Sequence, residues 1–277
     1  MSFKRPVIRF INNPQAVVGF ALVLLVILTA IAAPVLKTHS ISEMQISKRL
    51  SRPSSQFLMG TDEFGRDIFS RVIEGTRVSV LTSSIAVLIS LTLGTVLGTI
   101  AGFFGGTIDN SIMRLLDVFF AFPALLLALA VVAILGPGLI NAMQAIGIVF
   151  TPYFARVIRA SVLSIRNLDY VKAACSIGGS NCRIIFRHIL PNSMGPTIVQ
   201  TAVGFSNAIL AEASLSFLGL GVQSPTPSWG RMLNDAQQYL LEAPWYAIFP
   251  GIAIILTTMG FNLLGEGLRI LFDPRSV

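Results

Sequence analysis

The run Ala16-Val17-Val18-Gly19-Phe20-Ala21-Leu22-Val23-Leu24-Leu25-Val26-Ile27-Leu28-Thr29-Ala30-Ile31-Ala32-Ala33-Pro34-Val35-Leu36 contains no charged side chain. A helix rising about 1.5 Å per residue needs about 20 such residues to cross a hydrocarbon core of about 30 Å. The run therefore reads as a membrane span. It follows a polar start with Lys4, Arg5 and Arg9, as a signal h-region would, but it outruns the roughly 7–15 apolar residues of such a region. It is read as a retained first helix.

Comparable runs follow at 78–103, 115–135, 140–158, 196–220 and 245–264, the fourth interrupted by Gln144, Thr151 and Pro152. The chain is 53% hydrophobic and 12% charged, against about 25% charged in soluble domains. The fold class expected is an all-α integral membrane protein of about six transmembrane helices, with both ends on one side. Lys and Arg near span ends are retained in the cytoplasm. With the N-terminus inside, the inner segments hold Lys4, Arg5, Arg9, Arg114, Arg156, Arg159, Arg166, Lys172, Arg183, Arg187, Arg269 and Arg275, twelve of the twenty basic residues. The other eight are external, and all but Arg231 sit in the first outer loop beside five acids. Both termini are thus expected on the cytoplasmic side. The net charge of +7 suits a surface facing anionic lipid and calls for no nucleic acid.

Cys175 and Cys182 fall in a predicted cytoplasmic loop, where thiols stay reduced, and His39 and His188 fall on opposite membrane faces, so no metal site is expected. The outer loop ends in Gly60-Thr61-Asp62-Glu63-Phe64-Gly65-Arg66-Asp67-Ile68-Phe69-Ser70-Arg71-Val72, with Phe64, Ile68 and Val72 at helical spacing. This predicts an amphipathic helix with Thr61 as N-cap and an exposed Asp67–Arg71 pair. It either lies in the interface or packs on the outer ends of the bundle. Gly94, Gly98, Gly102 and Gly106 line one helix face and predict close helix packing. A second external segment, 221–244, predicts a short interfacial helix with Trp229 and Trp245 as headgroup anchors.

The most specific signal is Asp169-Tyr170-Val171-Lys172-Ala173-Ala174-Cys175-Ser176-Ile177-Gly178-Gly179-Ser180-Asn181-Cys182-Arg183-Ile184-Ile185-Phe186-Arg187-His188-Ile189-Leu190-Pro191. It reads as helix, turn, helix: Asp169 caps the first arm, Gly178-Gly179 stop it, and Ser180 caps a second that ends before Pro191. Such a hairpin suits docking into a groove of another protein.

Ala173, Ala174, Gly178, Leu190 and Pro191 match the loop motif of the integral-membrane subunits of bacterial ABC importers. Phe122-Pro123, Glu212-Ala213-Ser214-Leu215-Ser216-Phe217-Leu218-Gly219-Leu220-Gly221 and Pro225-Thr226-Pro227-Ser228-Trp229-Gly230 extend the likeness. From about Leu58 to Pro274 the chain resembles the second, C-type permease subunit of the dipeptide/oligopeptide/nickel transporter group. The resemblance implies a type I ABC importer permease fold in the bacterial cytoplasmic (inner) membrane and half of a translocation pathway for peptides or a related small solute. Its implied partners are a second related permease, two cytoplasmic ATPases that carry ATP and Mg, and an external substrate-binding protein. No cofactor is expected on this chain, which has no phosphate loop.

Two units follow from this: 1–77, with the tail, first span and external loop, and a core domain 78–277, whose coupling loop spans 159–192. The residues implied in ATPase coupling are Asp169, Lys172, Ala173, Ala174, Gly178, Arg183 and Arg187. Lys172 stands where the family has Glu, so the capping box is lost. Asp117 and Glu212 are the acids inside spans. Asp117 reads as structural, and Glu212 as a helix-packing partner or a pathway residue; the packing glycines are Gly94, Gly98 and Gly102. An intramembrane enzyme would need a histidine at the depth of these acids, and none is present. An autonomous channel or carrier would leave the docking loop without a purpose.

Overall fold

The computed structural model describes residues 10–272; Lys4, Arg5, Arg9, Pro274 and Arg275 lie outside them. Among the described residues, these α-helices follow one another: α1 (Pro14–Leu36), α2 (Ile68–Phe104), α3 (Gly106–Phe120), α4 (Ala124–Leu135), α5 (Leu139–Ile165), α6 (Asp169–Ser176), α7 (Asn181–Ile184), α8 (Met194–Phe217), α9 (Trp229–Ala236) and α10 (Trp245–Phe272). Among the described residues the only β pairing is one isolated bridge, Thr61 to Asp67. Asn13 caps α1, its side chain accepting from the Gln15 and Ala16 amides at 2.9 and 3.3 Å, with Pro14 at the first helical position.

Among the described residues, five helices or helical runs are long and apolar enough to cross a membrane, and a sixth crossing exists only as the bent pair α3 and α4, which meet at 91°. This corrects the third expected span. Pro123 disfavours helical geometry in Phe122 and itself takes an extended ψ of 129°, so the chain turns there. Helix α4 alone is about 18 Å long, too short for the hydrocarbon core, while α3 carries Asp109, Arg114 and Asp117.

The central contact joins α2 to α5. A Cβ on Gly98 would stand 2.5 Å from the Ala155 carbonyl oxygen; on Gly94 and Gly102 it would collide with Phe154 and Val162. Where lipid is as apolar as the side chains, such close approach supplies the packing energy. Gly106 does not extend this ridge: α2 stops at Phe104, Gly105 caps it at φ 69°, and Gly106 opens α3. Arg166, the C-cap of α5, donates to the Gly102 and Phe103 carbonyls at 2.8 and 3.1 Å, satisfying groups the end of α2 leaves open. Helix α1 lies on α10, with Gly19 against Leu263 and Leu264, and Gly260 against Leu22.

Helix α2 runs unbroken through residue 77, so the division expected at 77/78 falls inside a helix. The external amphipathic helix is also corrected. Residues 60–67 form a tight turn, and the helix begins at Ile68 with Asp67, not Thr61, as its cap, accepting from the Ser70 amide at 3.0 Å. Thr61 instead bonds the Lys48 carbonyl and the Ser51 amide.

The short helix α9 crosses the same end. Trp229 is fully buried and donates to the Val72 carbonyl at 3.2 Å, so it is a core residue and not a headgroup anchor. Trp245 is half-buried and packs against Gly60. Met232 and Ala236 close over Ile68, Val72 and Tyr246.

Gly98→Val is expected to cost about 1–3 kcal/mol by overpacking. Gly251→Ala sits in α10 with open space around its Cβ and is expected to be neutral or to gain about 0.5–1 kcal/mol. Thermal unfolding of the purified complex checks both; equal effects would show that the ridge does not set the packing.

Candidate functional site

At the end of the bundle where α2 stops and α5 ends, the chain makes the expected hairpin. Its first arm starts one residue earlier than the cap reading requires: Leu168 is the N-cap, with no side-chain hydrogen bond, and Asp169 is the first helical residue. The carboxylate there still favours the positive end of the helix. The stop is a Schellman motif. The Gly179 amide donates to the Ala174 carbonyl and the Gly178 amide to the Cys175 carbonyl, both at 3.0 Å, with Gly178 at φ 81°. Ser180 then caps α7, accepting from the Arg183 amide at 3.4 Å.

The second arm does not end before Pro191. After α7 the helix widens to a π turn over Ile185–Ile189, where the Leu190 amide donates to the Ile185 carbonyl at 2.9 Å. A short 3-10 turn, Pro191–Ser193, leads directly into α8. Pro191 has no N–H and its ring crowds the preceding turn, and a π widening accommodates that. Asn192 donates its side-chain amide to the His188 carbonyl at 2.6 Å, and Ser193 bonds the Leu190 carbonyl at 2.9 Å.

Val171, Ile184 and Ile189 are buried against Ile158, Val162 and Ile165 of α5, and this seats the hairpin. Ala174 packs on the same cluster. Asp169, Lys172, Ala173, Gly178, Arg183 and Arg187 are exposed, together with Ile177 at 87% and Phe186 at 70%. The hairpin thus presents apolar side chains flanked by cations. Both cysteines are exposed on it.

The intramembrane acids differ. Asp117 is exposed and pairs with Arg156 at 2.5 Å, whose guanidinium also lies 3.7 Å from the centre of the Phe120 ring. Glu212 is completely buried. The Ser216 hydroxyl donates to its Oε1 at 2.7 Å while accepting from the Val222 amide at 3.0 Å, and Ser79 of α2 and Ser228, the α9 N-cap, lie beside the carboxyl. The hydroxyls of Thr76, Thr82 and Ser90 bond their own helix four residues back; those of Ser79 and Ser83 do not, and both are buried. Glu212 therefore sits where α2, α8 and α9 meet.

The opposite end holds charges that sequence reasoning missed. Asp62 is fully buried and accepts from the Phe64 and Arg66 amides, each at 2.9 Å, and from Arg66 Nε at 2.6 Å. Arg71 Nε stands 3.5 Å from the same carboxylate. The expected exposed Asp67–Arg71 pair is overturned: both residues are buried, and Asp67 serves Ser70 and Thr38. The readable signal was the density of charge in 62–71, which exposed side chains do not require. Among the described residues no group of three or more His, Cys, Asp or Glu could hold a metal ion.

A family model described as "Binding-protein-dependent transport system inner membrane component" matches residues 94–277, and one described as "N-terminal TM domain of oligopeptide transport permease C" matches 3–53. The chain is 49% identical to a dipeptide transport system permease of Alkalihalophilus pseudofirmus, over 95% of this chain and 87% of that one. It is 42% identical to a probable D,D-dipeptide transport system permease of Escherichia coli, over 96% and 89%. For a glutathione transport system permease of Pectobacterium atrosepticum the identity is 45%, over 96% and 89%. In fold it is similar to a chain of the inward-facing MetNI methionine ABC transporter, with a TM-score of 0.59 and 16% identity over 74% of this chain and 98% of that one. A chain of an amino acid ABC transporter gives 0.55 and 18% over 73% and 94%.

Gly178→Ala forces a side chain into the left-handed region, at a cost of about 1 kcal/mol, with no steric clash. Faster amide exchange confined to residues 173–180 is expected; unchanged exchange would mean that the turn does not hold the hairpin.

Proposed function

Because the chain belongs to the family of binding-protein-dependent transport system inner membrane components, we propose that it passes peptides, or a related small solute, through a pathway shared with a second, related permease. It is a non-catalytic permease subunit of an ABC importer. Two cytoplasmic ATPases, which hold ATP and Mg, and an external binding protein complete the assembly in this reading. The end carrying the hairpin faces the cytoplasm, in keeping with Arg156, Arg159, Arg166, Lys172, Arg183 and Arg187 gathered there. Both termini belong to that side: Gly267 lies against Ala16, and Gly195 against Phe272.

One observation carries the coupling role. The hairpin is anchored by buried Val171, Ile184 and Ile189, yet leaves Ile177 and Phe186 bare to solvent. Exposed apolar side chains rimmed by Lys172, Arg183 and Arg187 suit a groove on a partner. ATP-driven closure of that partner would then move the bundle between two states. Asp169 and Gly178 shape this device, Ala173 faces the groove, and Ala174 seats the hairpin on its own bundle. Glu212, with the packing glycines Gly94, Gly98 and Gly102, belongs to the scaffold, as its complete burial among serines supports; Asp117, paired with Arg156, is structural.

In proteoliposomes holding the full complex, Ala173→Trp is expected to abolish coupling of ATP hydrolysis to uptake while the complex assembles. Ala174→Trp is expected to cost about 1–3 kcal/mol of hairpin seating and to reduce assembly. Normal coupling in Ala173→Trp would remove the docking role. Glu212→Gln is expected to keep uptake within about threefold; abolished uptake in an assembled complex would make Glu212 a pathway residue.

A further inference from the structure

The ion pair of Asp117 and Arg156 is open on the surface of the chain, with 57% and 48% of the two side chains exposed. Its depth follows from its neighbours. Helix α4 is about 18 Å long, so the turn at Pro123 that joins it to α3 falls inside a hydrocarbon core of about 30 Å. On the α3 side of that turn the Phe120 ring meets the Tyr153 ring at 4.9 Å between centroids, and the Arg156 guanidinium lies over Phe120. Arg156 itself stands about 25 Å along α5 from Leu139, still within that thickness. Charged side chains at such depth turn to the bundle interior or to a water-filled cavity. Backbone that leaves the helix, as at 121–123, is tolerated there only against protein or water. Two independent features thus turn this face away from lipid.

Water suits it better than a dry protein contact. The pair uses Asp117 Oδ1 and Arg156 Nη2; Nη1 and Nε of Arg156 have no hydrogen-bond partner among the described residues, and neither has the hydroxyl of Tyr153, which is 38% exposed. A dry contact would strip these groups of water, whereas in a wet path they stay hydrated until a solute arrives. Tyr153 and Arg156 are three residues apart and therefore neighbours on the surface of α5. A guanidinium with donors to spare matches a carboxylate. Asp117 already neutralises its charge, which keeps the hold weak, and a site on a conduction path has to release what it binds. We propose that Arg156, held over Phe120 by Asp117, donates hydrogen bonds to the terminal carboxylate of a peptide passing along this face, with the Tyr153 hydroxyl beside it. Asp117 is then a positioning residue. This rests on the reading above of the solute as a peptide.

The test uses the full complex in lipid nanodiscs without binding protein, with Cys175→Ser, Cys182→Ser and Ala121→Cys in this chain. Ala121 is exposed and lies one turn beyond Asp117, at the C-cap of α3. The probe is N-ethylmaleimide, which is uncharged and reacts with the thiolate, a species that forms in water and not in lipid; its addition is read on this chain by mass. Ala121→Cys is expected to react. Dialanine is expected to slow that reaction at least fivefold, and alanyl-alaninamide, in which an amide replaces the carboxylate, less than twofold at the same concentration. Arg156→Gln is expected to remove the protection by dialanine, and Arg156→Lys to keep most of it. No reaction would mean that lipid or the second permease seals this face, which overturns the inference. So does equal protection by the two peptides, protection by neither, or protection that survives Arg156→Gln. The comparison of the two peptides leaves Arg156 in place and does not depend on its variants folding. Uptake of dialanine by the unaltered complex with its binding protein is measured in parallel: intact uptake with failed protection overturns this inference alone, whereas absent uptake of every peptide overturns the reading of the solute.

Discussion

Helix α2 can reach α5 only because Gly94, Gly98 and Gly102 present no side chain to it. Within lipid there is no hydrophobic gain from bringing two apolar helices together, so the closeness of backbone contact decides which pairs form. That contact sets where α5 ends, and hence where Ile158, Val162 and Ile165 offer a seat to the hairpin. It also brings Arg166 onto the last carbonyls of α2, and Arg159 onto Asp109 of α3 through two contacts of 2.5 Å. One ridge of glycines thus places Asp109, Arg159 and Arg166 together with the seat of the hairpin.

The hairpin and the opposite end are joined by a nearly continuous helical rod. From Asn181 through the π turn, Pro191 and α8, the chain runs to Phe217, and near that end Glu212 and Ser216 meet the cap of α9. Helix α9 is clamped so closely that a side chain on Gly230 would run into the Ala213 backbone. The only irregular stretch in the rod is Ile185–Ser193, beside the hairpin. Bends in long helices gather at prolines and π turns, so this stretch is where the rod departs from a regular helix.

Buried charge has different partners at the two ends. Around Asp62, backbone amides and two arginines share one carboxylate, an arrangement that removal of a single partner would leave uncompensated. Glu212 has serine hydroxyls around it and a helix cap nearby. Glu212 draws Ser79 and Ser228 from distant parts of the chain, whereas the partners of Asp62 come from its own turn and the helix that follows.

The spans, the hairpin with its Gly178 stop and Ser180 cap, and the family of the chain were legible in the sequence, because hydropathy, turn chemistry and motif spacing are properties of neighbouring residues. Some readings failed on local backbone geometry, at the Asp67 cap and past Pro191, and the others on partners distant in sequence. The density of charge in 62–71 was visible, but its burial depends on α9 and α10 folding over it. Trp229 looked like a headgroup anchor until Val72 supplied its acceptor, and Ala174 looked equivalent to Ala173 until α5 showed which side each faces. The third span looked continuous because hydropathy does not register the backbone turn at Pro123. Local sequence determined which segments are apolar enough to enter the membrane and where the hairpin turns; only the tertiary structure decided which polar groups meet, because a buried charge or indole is stabilised by whatever atom completes its hydrogen bonds, wherever along the chain that atom lies.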